Sequence, residues 1–197
     1  MKESNKDLRG MNQNKQISGI SVKKLSIIAL AIALNVVGGQ IALLLHLPIY
    51  LDSIGTILIA VIYGPFYGIL PPLLYGLVMG FTIDIYSLYF MPVGIILGLT
   101  TGLVSHAIHL RGKMIVPGAL IITIPGTIAS ALITALLFGG ITSSGSTVIV
   151  QILNKAGLGL TASVFIVQIL TDFLDRLLSL TLVAALLRAI PARLYRE

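Results

Sequence analysis

The sequence predicts an all-α integral membrane protein, a compact bundle of six transmembrane helices with both termini in the cytosol. Three observations predict it. Of 197 residues, 56% are hydrophobic and only 10% charged, whereas a soluble domain carries about 25% charged residues to wet its surface. The apolar residues fall into long runs, and a helix needs about 20 of them to cross a bilayer. The basic residues gather in a few places between and beyond those runs, the arrangement that orients a multi-pass protein. An ordinary soluble domain and a disordered chain are both excluded, and six spans leave no length for a soluble catalytic domain. With no Cys in the chain, a disulfide, a thiol nucleophile and a thiolate metal site are excluded too.

Residues 1–24 form a polar tail with Lys2, Lys6, Arg9, Lys15, Lys23 and Lys24 against Glu3 and Asp7. The tail is not shaped as a cleaved signal peptide, because the apolar run behind it is too long and has no clear small-residue cleavage site. The membrane domain covers 25–190. Its first span is 25–45, followed by a short loop, 46–52. The second begins near Ser53 and stops at Gly64-Pro65, a helix stop and restart. The third is 66–81. A segment with Asp84, Tyr86, Tyr89 and Pro92 leads to the fourth, 93–105. A basic loop with His106, His109, Arg111 and Lys113 precedes the fifth, 114–138. Residues 139–155 read as a Gly/Ser/Thr loop plus a short amphipathic piece, and the sixth span is 158–190. Residues 191–197 are a short C-terminal tail.

Basic residues set the orientation. With the N-terminus inside, the cytosolic segments hold the six of the tail, Arg111, Lys113, Arg188, Arg193 and Arg196. That is all but two of the 13 Lys and Arg. The outer segments hold only Lys155, and Arg176 lies within the sixth span. This distribution accounts for the net charge of +6 without nucleic acid.

Two spans are interrupted, at Gly64-Pro65 and at Pro71-Pro72. Broken helices at membrane depth survive when buried in protein or lining a cavity, and transporters build binding sites from them; a proline kink in a packed bundle is the plainer alternative. Gly76 and Gly80 in the third span, and Gly94, Gly98 and Gly102 in the fourth, repeat every four residues, which lets helix backbones approach closely. Tight internal packing is the reading for these. Ala29 and Ala33 make a smooth stripe early in the first span, suited either to internal packing or to a second membrane subunit.

Ionisable groups inside a bilayer cost a few kcal/mol or more and are functional hypotheses by default. Asp172 and Arg176 are four residues apart on the sixth span and are expected to form a structural ion pair. Asp175 then needs another partner or water, and the cluster is expected in the cytosolic half. At the outer ends, His46, Tyr50, Asp52, Asp84, Tyr86, Tyr89, Gln151, Asn154 and Lys155 converge if the bundle is compact. They form a candidate substrate site, since a captured ligand needs apolar area and a few fixed hydrogen bonds. An interfacial aromatic belt would explain the Tyr residues, but not three loops rich in polar groups. There is no Walker A sequence, no His-Glu-x-x-His and no Gly-x-Ser-x-Gly. His106 and His109 lack a third ligand nearby, so no metal and no cofactor are expected.

Six short spans behind a basic tail, Ala29 and Ala33 early in the first span, the stretch from Leu51-Asp52-Ser53 to Ala60, then Gly64-Pro65-Phe66-Tyr67-Gly68, and Asp175-Arg176 in the last span together resemble the S component of energy-coupling factor (ECF) transporters. The resemblance covers about 170 residues in pattern. It implies a vitamin-binding subunit of an ABC-type importer, completed by a transmembrane T subunit and two cytosolic ATPases. It further implies that the alanine stripe packs on the T subunit, and that the outer loops 46–52, 84–92 and 139–155 close over the ligand. The absence of Trp departs from thiamine-type members, whose sites lean on tryptophan. A single outer Lys argues against a multiply anionic vitamin such as folate, which leaves cobalamin first and pantothenate next. No enzymatic activity is expected of the chain itself, ATP hydrolysis falling to the partners. The rival from another class is a membrane-embedded enzyme at the cytosolic face, using His106, His109, Asp172 and Asp175; a small channel comes third.

Overall fold

The computed structural model describes residues 21–191. Most of the expected N-terminal tail, and Arg193 and Arg196 of the C-terminal one, lie outside the described residues. Helix α1 spans Val22–Leu44, with the Ser21 hydroxyl accepting from the Lys24 N–H at 3.3 Å. Lys23 and Lys24 therefore belong to its first turn rather than to a tail. Helix α2, Ile54–Tyr63, has 10 residues and is about 15 Å long, half the apolar thickness of a bilayer. It stops at Gly64, whose φ of 87° is a left-handed conformation that L side chains avoid. Pro65 opens the single turn α3, Pro65–Gly68.

Helix α4 is Leu70–Thr82. Pro71 and Pro72 start this helix rather than break a span, because first-turn N–H groups have no intrahelical acceptor to lose. Helix α5, Tyr86–Ala107, begins seven residues ahead of the expected fourth span, so Tyr86, Tyr89 and Pro92 are helical. A 3-10 turn, Gly112–Met114, leads into α6, Ile115–Phe138. The short amphipathic piece is α7, Ser146–Leu153, and one wide turn, Asn154–Leu158, joins it to α8, Leu160–Ala189.

Among the described residues, four stretches are long and apolar enough to cross a membrane, Val22–Leu44, Pro65–Thr82, Tyr86–Ala107 and Gly112–Phe138. The protein is thus a multi-pass membrane protein, with four such spans where six were expected. The second expected span is the short α2. The sixth, α8, is 30 residues long, but Asp172, Asp175 and Arg176 interrupt its apolar sequence.

The helices carry their polarity inside out. On α6 the outward positions include Leu120, Ile124, Ile128, Leu132 and Leu136, all exposed, while Thr123, Thr127, Ser130 and Thr134 are buried. On α8, Leu170, Leu174, Leu178 and Leu182 face outward, and Gln168, Thr171, Asp172, Asp175, Arg176 and Ser179 face in. Lipid tails are as apolar as leucine, so apolar side chains gain little by turning inward, and polar groups must find partners inside the bundle. Gln168 donates to the Thr134 hydroxyl at 2.7 Å across the α6–α8 contact.

Along α4 and α5 the packing is steric instead. A Cβ on Gly76 would lie 2.9 Å from the Met91 Cβ, and one on Gly80 2.7 Å from the Leu88 Cβ. On the facing helix, a Cβ on Gly94 would strike Pro72, on Gly98 the Gly68 carbonyl and on Gly102 the backbone of Pro65. Both glycine repeats serve internal packing. Ala29 and Ala33 are exposed on the outward side of α1.

Candidate functional site

The site begins with the shortness of α2. Because α2 reaches only part-way through the bundle, the loop before it dips inward, and its backbone polar groups need partners there. Asn35 of α1, fully buried, supplies one: its side-chain oxygen accepts from the Gly55 N–H at 2.7 Å and its amide donates to the Thr56 hydroxyl at 2.9 Å. This caps the otherwise open first turn of α2. Asp175 of α8 supplies the rest. It accepts from the Leu51 N–H at 2.8 Å and from the Ser53 hydroxyl at 2.7 Å, and it pairs with Arg176. Leu51 sits at φ 56°, a strained conformation for a branched side chain, and the Asp175 bond holds it.

Two findings correct the expected ion pair. Arg176 bonds Asp175, its neighbour, rather than Asp172, and Asp172 instead accepts from the Thr127 hydroxyl of α6 at 2.7 Å. The long guanidinium arm can fold back along its own helix, while Thr127 lies across from Asp172 and takes it. Nor does the cluster sit with the basic loop. Asp175 is bonded to the 46–53 loop, whereas His109 and Arg111 line a separate hollow with Leu180, Val183 and Leu187, which begins five residues or about 8 Å further along α8.

The three loops expected to converge do meet. The Gly145 N–H donates to the Leu47 carbonyl at 3.2 Å, and a side chain at Gly145 would strike the His46 carbonyl. Ser143 donates to Asp84 at 2.8 Å, tying the α6–α7 loop to the α4–α5 loop. Beneath them lies a cavity of about 110 Å³. Tyr50, Asp52, Asp84 and Tyr86 line it, together with Asp172 and Arg176 on its floor. Tyr75, Ser53, Thr56, Phe90 and Ser143 complete the wall.

The other expected site residues lie elsewhere. His46 is exposed, turned out by its own φ of 50°. Tyr89 packs on the Phe138 ring at 5.2 Å and is 47% exposed. Gln151 belongs to α7 and Asn154 and Lys155 to the turn after it, outside the cavity lining. Tyr75 is the main residue the sequence reading misses; it is buried, its hydroxyl laid over Gly39, where a Cβ would collide with it. Its signal is a tyrosine in the middle of the apolar third span, away from both of its ends.

In the loop, burial pushes the Asp52 carboxyl up to about 6, with the nearby Asp175 carboxylate adding to the effect and Arg176 opposing it. Burial, then Asp172, raises the Tyr50 hydroxyl well above its ordinary value, so it stays a neutral hydrogen-bonding group. Among the described residues, no group of three His, Asp or Glu could hold a metal ion. The arrangement is a chamber with a polar floor, aromatic walls and a rim tied by loop-to-loop hydrogen bonds. No family model, no curated protein and no solved structure matches the chain.

Proposed function

We propose that the protein is the substrate-binding S component of an ECF-type vitamin importer, capturing its ligand from outside and delivering it with a T subunit and two ATPases. The observation that carries this reading is the chamber at one end of the bundle, covered by the same three loops that the sequence resemblance assigns to ligand closure. In this reading six segments cross the membrane, α2 being a short one made tolerable by the Asn35 cap, and the basic residues place the chamber outside. The exposed alanine stripe of α1 is free of the bundle and open to a T subunit. In this reading ATP hydrolysis falls to the partner subunits; of the residues a cytosolic-face enzyme would use, Asp172 lines the chamber and His109 a separate hollow.

The test is direct. The full-length chain, purified in detergent, is examined by native mass spectrometry for a copurifying small molecule and titrated calorimetrically with vitamins. The reading expects tight binding without ATP, lost in Tyr50→Ala, and a four-subunit complex on coexpression with the T subunit and ATPases. A chain that binds no vitamin and assembles with no T subunit would overturn it.

A further inference from the structure

The charge inside the chamber is one-sided. Asp52, Asp84 and Asp172 line it, and its single lining cation, Arg176, is already paired with Asp175 behind it. Lys155 stands outside the lining and is exposed. Asp172 is only 2% exposed; one of its oxygens takes the Thr127 hydroxyl, and the other accepts no hydrogen bond from a described residue. Arg176 attracts Asp172 but gives its hydrogen bond to Asp175, so the second oxygen of this deeply held carboxylate is left without a donor of its own, which is costly unless a ligand supplies one. The walls supply the matching surface. Tyr50, Tyr75 and Tyr86 bring three rings to the same space, and ring faces attract cations most strongly where water is excluded.

We propose that the ligand of this chamber is an organic cation, a protonated amine or quaternary nitrogen carried on an apolar or flat body, with its charge drawn to Asp172. This rests on the reading of the chamber as a substrate site and narrows it, departing from the uncharged or singly anionic vitamin the sequence favours. Three carboxylates around a low-dielectric space repel an anion from every side. A neutral ligand can donate a hydrogen bond to the floor but brings no charge to offset the carboxylates. An ammonium or a charged heterocycle takes the open oxygen of Asp172, while the rings pack its body and Asp84 at the rim draws it in. Arg176 stays paired with Asp175, so ligand binding leaves the loop anchor in place.

Calorimetric titration of the full-length chain with two permanent cations, thiamine and choline, the anion pantothenate, and riboflavin and cobalamin decides it. At least one cation should bind ten-fold or more tightly than the other three. Asp172→Asn, which keeps an acceptor for Thr127 and leaves the Arg176 pair intact, should weaken that cation at least ten-fold. Asp84→Asn at the rim should weaken it less, and carries the comparison if the deeper variant does not fold. Equal cation affinity in both variants would overturn the proposal. Preferred binding of pantothenate, riboflavin or cobalamin, lost in Tyr50→Ala, would also overturn it while leaving the importer reading intact. No binding by any of the five would overturn the cation proposal, and the importer reading would then stand or fall on the wider vitamin titration and the assembly with a T subunit.

Discussion

The α4–α5 contact and the contact of the 46–53 loop with α8 hold the same small bundle together by opposite means. The first is a seam of glycines and prolines in which the helices come too close for a Cβ to fit between them. The second is a chain of buried polar groups, Ser53, Asp175, Arg176 and Ser179. Steric seams are satisfied in any solvent, so they suit regions that only need to be close. A buried polar network is satisfied in one geometry alone, so it suits the place where a loop must be held in a fixed position over a cavity.

Breaking the polar side should have the largest effect. Asp175→Ala leaves Arg176 as a buried charge without its carboxylate and frees Leu51 and Ser53 together. A loss of about 3–5 kcal/mol is expected, read as a drop in melting temperature in detergent. Asp172→Ala should cost less, since Arg176 keeps Asp175; a larger loss there would mean that the two carboxylates share the guanidinium. On the steric side, Gly98→Val drives a side chain into the Gly68 backbone and should cost about 1–3 kcal/mol or more, with Gly126→Val, whose Cβ has only Val93 at 3.8 Å, as the milder control. Equal effects at both glycines would show that the seam is looser than its geometry.

Asn35→Leu tests the junction of the two designs. It keeps the volume but orphans the Gly55 N–H, and about 1–3 kcal/mol should be lost. Smallest and opposite in sign is Asp52→Asn. Because folding holds the Asp52 proton up to about pH 6, against about pH 4 for a free carboxyl, the wild-type protein loses stability as pH rises through that window. The variant should therefore melt higher than wild type at pH 7.5 and nearly alike at pH 4. An unchanged difference between the two pH values would show that Asp52 ionises normally.

Much of this architecture is legible in the chain. Apolar runs mark the membrane segments, and the polar residues Tyr50, Asp52, Asp84 and Tyr86 at their ends do line one cavity. The start of α5 is less legible, because Tyr86 to Phe90 looks like a loop until Phe138 of α6 is brought against those rings at 4.8 Å for Tyr86 and 6.1 Å for Phe90. The partners of Asp172 and Asp175 are not legible at all. Spacing on one helix favours Asp172 with Arg176, but the choice is made by Thr127 and Leu51, which are 45 and 124 residues away. Tyr75 escapes for the same reason: its place at the chamber wall depends on Gly39, a residue on another helix.

The bond between Asp175 and the 46–53 loop also sets an order of assembly. Ribosomes deliver α1 first, and Asn35 is then waiting when α2, too short to stand alone in lipid, leaves the translocon. The hairpin of the first two helices can thus enter the membrane as a unit. Its loop stays unanchored until the last helix arrives, because the carboxylate that pins it lies 122 residues beyond Ser53. A nascent chain cut before α8 would lack the carboxylate that pins this loop, so the chamber takes its shape only once α8 has been made.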